Sequence, residues 1–149
     1  MASAPTPRQT DDALARVRIL SPMQAIRDPD LNHALAPFRG HPPTGLLCGN
    51  PRCTEPFVWC ALDPLTARVR FGPKPPGTGG RPGAPAPYDA WDPGEDFGRS
   101  IAPPGEPMLR WLFFCPRCDR TLVLSNARMI TLIVRALGSG RTEIRPAAE

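Results

Sequence analysis

Apolar positions along the chain gather into a few short runs, separated by proline, glycine and charge. The first ten residues have no such run and read as a loose tail. DDALARVRIL (11–20) fits a short helix, with its acids early, where the positive end of the helix dipole favours them. In SPMQAIRDPDLNHALAPF (21–38), Ser21 can cap and Pro22 suits the first helical position. Pro29 interrupts this stretch, so two short helical pieces are expected. RGHPPTG (39–45) reads as a loop. LLCGNPRCTEPFVWCAL (46–62) is an apolar run, a tight polar turn and a second apolar run, the pattern of a hairpin. WLFFCPRCDRTLVL (111–124) repeats that layout. In SNARMITLIVRALGSG (125–140), Met129, Ile130, Ile133, Val134 and Leu137 share one helical face, which favours a helix over the strand that the short β-branched run MITLIV would also suit. Ser125 can cap this helix, and Gly138 can end it. RTEIR adds a final short strand.

Composition sharpens the boundaries. Pro (22) and Gly (13) make up nearly a quarter of the 149 residues, and many of them fall in GPKPPGTGGRPGAPAP (72–87). Proline lacks the amide donor and glycine is entropically costly to order, so this stretch forms neither helix nor central strand. The chain therefore divides into an N-terminal tail and short helices (1–45), a Pro/Gly-rich and largely irregular insert (63–108), and a folded unit made of 46–62 with 109–145. The acidic-aromatic end of the insert, YDAWDPGEDFG (88–98), is expected to fold its aromatics back onto a small core. A core of this size usually needs a staple, either a metal or disulfides.

Five cysteines are present: Cys48, Cys53, Cys60, Cys115 and Cys118. Four form two close pairs, CGNPRC and CPRC, each in the turn of an expected hairpin. A tight turn lets two thiolates of one segment face a single ion, and two such turns complete the tetrahedron that zinc prefers. The insert between the pairs is long, but loop-closure entropy grows only logarithmically with length. The expected metal ligands are therefore Cys48, Cys53, Cys115 and Cys118, holding one structural Zn2+, with iron in a rubredoxin-like site as the minor alternative. Cys60 is expected to pack on a strand, unless it replaces Cys53. His33 and His41 have ligand chemistry but read as surface or loop residues. A redox dithiol at Cys115 and Cys118 is the weaker reading, because a reactive C-x-x-C usually opens a helix and DRTLVL reads as a strand.

The paired cysteines on two hairpins resemble the zinc ribbon, and CPRC resembles the CPxC knuckle of ribbons and rubredoxin-like folds. The resemblance covers residues 45–62 and 109–124. The first pair is spaced by four residues rather than two, Asp119 stands where a glycine usually follows the second pair, and the insert is long. The fold class implied is small α+β: a zinc-ribbon-like pair of β-hairpins with short N-terminal helices, a C-terminal helix and the Pro/Gly-rich insert.

Function is narrowed further by what is missing. There is no H-E-x-x-H, no G-x-S-x-G, no phosphate loop ending in GK[ST], and no H-x-E upstream of P-C-x-x-C. A four-cysteine site is coordinatively closed and leaves no position for a catalytic water. A non-enzymatic binding module with no small-molecule substrate is thus expected. The net charge of +4 and pI of about 9.1 permit an anionic partner. Arg52, Arg117 and Arg120 sit in or beside the cysteine turns, and Arg128 and Arg135 lie on the C-terminal helix. These five are the candidate contacts to nucleic acid or the transcription machinery, and Trp59, Trp111 and Phe113 could stack on bases if they are not core. The alternative is a protein-interaction or assembly adaptor that uses the insert. All but one of the 18 basic residues are arginine, so an Arg-rich surface can also be compositional. No apolar run is long enough to span a membrane and no secretory leader is evident, so a cytoplasmic location is expected.

Overall fold

The computed structural model describes residues 5–19, 28–65, 68–75, 91, 99–100 and 110–146. Helix α1 (Pro7–Ile19) begins four residues earlier than the hydrophobic pattern suggests. The cause is a capping box. Thr6 Oγ1 accepts from the Gln9 amide (3.2 Å), and Gln9 Oε1 accepts from the Thr6 amide (2.9 Å), which satisfies two otherwise orphaned donors. Pro7 then takes the first helical position, where no amide is needed.

The same logic applies to Pro29. As the expected boundary between two pieces it opens the second, α2 (Pro29–Ala34), with Asp28 as N-cap accepting from the Leu31 amide at 2.8 Å. Arg16 of α1 forks onto Asp28 at 2.9 and 3.0 Å. This hydrogen-bonded pairing raises Arg16 and holds the Asp28 carboxyl below its usual range. A 3-10 turn (Ala36–Phe38) follows. The piece expected over 21–27 lies outside the described residues.

Two antiparallel hairpins organise the rest. In the first, β1 (Thr44–Leu46) pairs with β2 (Val58–Leu62), with Gly45 opposite Trp59. In the second, β5 (Arg110–Phe114) pairs with β6 (Thr121–Ser125), with Leu112 opposite Val123. The stretch expected to be irregular contributes a strand near each end. These are β3 (Val69–Gly72), paired with β2, and β4 (Arg99–Ser100), paired with β5. Most of 76–109 lies outside the described residues. Trp91 is buried, and its indole donates to the Pro73 carbonyl at 2.7 Å, as expected of an aromatic folding back onto the core. The expected C-terminal strand is β7 (Glu143–Ile144), which runs parallel to β1. The sheets thus have orders β3-β2-β1-β7 and β4-β5-β6.

Helix α3 (Asn126–Gly138) starts directly from β6. Ser125 Oγ caps it by accepting from the Arg128 amide at 3.0 Å. Leu132 and Ala136 are buried along with Met129, Ile130, Ile133 and Val134, so more of the helix is covered than one face. Sheet strands and α1 both pack on it. Gly138 does not end the helix by a left-handed turn; that conformation belongs to Gly140 at φ 71°. Gly138 is needed for another reason, since a Cβ there would lie 2.6 Å from Thr10 Oγ1 of α1.

One apolar core runs through these elements, from Ala13 and Val17 of α1 through Leu31, Leu35 and Phe38 to the strands and α3. Aromatic rings join the sheets: Phe71 of β3 lies 4.7 Å from Trp111 and 4.8 Å from Phe113 of β5, centroid to centroid. No described helix is long and apolar enough to cross a membrane.

Candidate metal centre

The hairpin tips place the four paired cysteines together. Cys48 follows β1 and Cys53 precedes β2, while Cys115 and Cys118 lie between β5 and β6. The sulfurs of Cys48, Cys53, Cys115 and Cys118 all lie within 4.8 Å of one another. Two distances run between hairpins: Cys48 Sγ to Cys118 Sγ is 3.7 Å, and Cys53 Sγ to Cys115 Sγ is 3.8 Å. These are far too long for a disulfide, whose sulfurs sit about 2.05 Å apart. They match the edge of a tetrahedron, because a metal–sulfur bond of about 2.3 Å implies sulfurs about 3.8 Å apart. Cys48, Cys53 and Cys115 are buried and Cys118 is partly exposed. This donor set could hold a metal ion.

Local backbone structure explains how each turn aims its sulfurs. In the first, Asn50 compensates for the wider spacing. Its side-chain oxygen accepts from the Arg52 amide (3.1 Å), its carbonyl accepts from the Cys53 amide (3.0 Å), and its own amide donates to Cys48 Sγ (3.4 Å). In the second turn, the Asp119 amide donates to the Cys115 carbonyl and the Cys115 amide to the Arg120 carbonyl, both at 2.9 Å. Closing that turn needs a left-handed residue after Cys118, and Asp119 supplies it at φ 58°. Aspartate is among the few non-glycine residues that tolerate this region. The departure from glycine is therefore one of residue type and not of conformation.

The thiols respond to this crowding. Burial raises Cys48. Its hydrogen bond to Cys48, then burial, pushes Cys53 up to about 12. At Cys115 burial also acts upward, but amide hydrogen bonds from Arg117 and Cys118 outweigh it and bring the thiol down to about 7. Four thiolates cannot share so small a volume without a cation among them.

Cys60 stands apart, as expected. It is fully buried on β2, with its thiol donating to the Thr44 carbonyl at 3.4 Å, and burial raises it to about 12. His41 Nε2 donates to the Pro37 carbonyl at 2.8 Å, and His33 is exposed. Among the described residues the cluster contains no histidine.

The arginines divide. Arg52, Arg117 and Arg120 are exposed around the two turns. Arg117 also ties the turns together, donating to the Glu55 carbonyl at 2.6 Å and pairing with its carboxylate at 2.9 Å. Arg128 reaches the Pro146 carbonyl at 3.5 Å, and Arg135 is half-buried on α3. Of the suggested stacking residues, Phe113 is core, and Trp111 packs edge-on against Phe71. Among the described residues, the exposed ring is its neighbour Phe114, at 60 %.

Sequence reasoning missed Arg145. Its Nη1 donates to the carbonyls of Cys48 (2.9 Å) and Asn50 (2.5 Å), and its Nη2 to that of Cys53 (2.9 Å). RTEIR showed only a strand pattern, and nothing in it signalled a contact more than 90 residues away in the chain. No protein-family model, curated protein or solved structure matches this chain.

Proposed function

We propose that the chain is a non-enzymatic module of zinc-ribbon type, in which one structural Zn2+ bound by Cys48, Cys53, Cys115 and Cys118 staples the two hairpins together. The observation that carries this reading is the pair of sulfur–sulfur distances between hairpins, 3.7 and 3.8 Å, which fit a tetrahedral S4 site. Iron would accept the same donors. Zinc is favoured because it stands above ferrous iron in intrinsic affinity and takes tetrahedral thiolate coordination with no redox change. Free thiols of this kind persist in a reducing compartment, so the reading includes a cytoplasmic location. Four protein ligands leave no open coordination position, which supports a structural role rather than a catalytic one. Metal content after purification without chelator tests the reading. One zinc per chain is expected in the native protein, and Cys115→Ser should lose both metal and cooperative unfolding. A metal-free chain with a stably folded Cys115→Ser variant defeats it.

A second reading concerns the partner. Exposed Arg52, Arg117 and Arg120 surround the turns, and the exposed Phe114 ring immediately precedes Cys115. Guanidinium groups beside an open aromatic ring suit single-stranded nucleic acid, where bases stack and phosphates pair. Oligonucleotide binding should then weaken steeply with salt and drop in Phe114→Ala. Binding that ignores salt, or none at low salt, favours the adaptor alternative, which rests on the insert.

A further inference from the structure

We propose that Arg145 is a positioning residue for the metal site, and that through it the C-terminal strand holds the first cysteine turn in its chelating shape. The inference rests on the metal reading above. A turn with four residues between its ligands has more conformations open to it than a two-residue turn, and its own hydrogen bonds all converge on Asn50. Those bonds leave the carbonyls of Cys48 and Cys53 to be satisfied from elsewhere. Arg145 takes both, and the Asn50 carbonyl as well. The nitrogens of a guanidinium are coplanar and rigidly spaced. Three carbonyls bound to one such plane cannot move independently, so the backbone at both ligand residues is fixed by a single side chain.

The base of that side chain is itself anchored. Strand β1 leads directly into Cys48 and pairs with the C-terminal segment: the Gly45 amide donates to the Thr142 carbonyl (2.9 Å) and the Leu47 amide to the Ile144 carbonyl (2.8 Å). Ile144, next to Arg145, is buried in the core. Four thiolates around a divalent ion also leave two negative charges on the site, and the half-buried guanidinium lies against the turn that carries two of them. Arg117 is a weaker counterpart on the other turn. It and Glu55 are both exposed, and exposed ion pairs contribute little.

The experiment uses the full chain loaded with zinc or, for spectroscopy, with cobalt(II). Zinc release to excess chelator is timed for the native protein and for Arg145→Gln, Arg145→Lys and Ile144→Ala. Outer-sphere partners of metal ligands typically change metal affinity 10–100-fold, so Arg145→Gln is expected to release zinc about tenfold faster or more. Arg145→Lys keeps the charge but cannot span three carbonyls, and is expected to follow Arg145→Gln. In both, the cobalt ligand-field bands should shift or weaken. Ile144→Ala loosens the same strand without touching the turn, and is expected to stay closer to the native rate. An unchanged rate in Arg145→Gln overturns the proposal. So does full rescue by lysine, which would leave only charge, and so does equal acceleration by Ile144→Ala, which would leave only general loosening. A native chain that takes up neither zinc nor cobalt shows instead that the metal reading has failed, and this inference with it.

Discussion

At the scale of single residues, Asp119 shows how a departure from pattern can be conformationally silent. It holds φ 58° to close the second turn, at a cost that glycine would not incur. Asp119→Gly is expected to be neutral or stabilising by up to about 1 kcal/mol, while Asp119→Val, β-branched in a left-handed position, should destabilise by about 1–3 kcal/mol and weaken metal retention. Denaturant midpoints with metal content check both, and a Val variant equal to the native protein would remove the argument. Cys60 supplies a contrasting case, a thiol that belongs to the core. Cys60→Ala should keep one metal per chain and lose about 1 kcal/mol. Burial raises this thiol to about 12, so the folded state keeps a proton that the unfolded chain gives up near pH 9. Stability is then lost as pH rises from about 9 toward 12. Melting temperatures across that range should fall less steeply for Cys60→Ala than for the native chain.

At the scale of elements, close approach decides where small residues stand. A Cβ on Gly45 would meet Pro56 Cγ at 2.4 Å and Cβ at 2.9 Å, and a proline ring has little room to yield. Gly45→Ala should push β1 away from the segment joining Cys53 to β2, costing about 1–3 kcal/mol and accelerating zinc loss. A variant with native stability and native zinc retention would show that the hairpin absorbs the methyl group. Hairpins, the C-terminal helix and the cysteine set were legible in the sequence because each depends on local signals: alternation, a cap, paired cysteines at turn spacing. The capping box at Thr6 and Gln9 was equally local but lies outside the apolar pattern, so α1 was expected to start late. Pro29 was ambiguous for a physical reason. Proline breaks a helix and opens one, and only the Asp28 cap with its Arg16 partner decides which. Arg145 and the Phe71 seam could not be read, since both join segments far apart in sequence.

At the scale of the whole molecule, the four-cysteine site lies where the tips of the two hairpins meet, beside the shared apolar core, so on the metal reading metal and fold should be linked through protons. With metal bound, four sulfurs are thiolates in the folded state, whereas unfolded thiols take up protons below about pH 8.5. The unfolded state then holds more protons, and the stability of the loaded protein falls as pH falls. Each thiolate that must be reprotonated contributes up to about 1.4 kcal/mol per pH unit. The metal-free fold behaves differently. Its Cys53 is raised to about 12, through its hydrogen bond to Cys48 and through burial. That group therefore costs stability only above about pH 9, where the unfolded chain has released its proton and the fold has not. Cys115, lowered to about 7 by amide hydrogen bonds that outweigh its burial, adds a single proton's worth of stability that is lost as pH falls from 9 to 7. Both slopes run in the same direction, but the metal-free fold has one group's against up to four in the loaded protein, so the gap in melting temperature between zinc-loaded and chelator-treated protein should widen steadily from pH 5 to pH 8 at fixed free zinc. Calorimetry at three or four pH values measures it, and a gap that stays constant across that range would mean the sulfurs are not ligands.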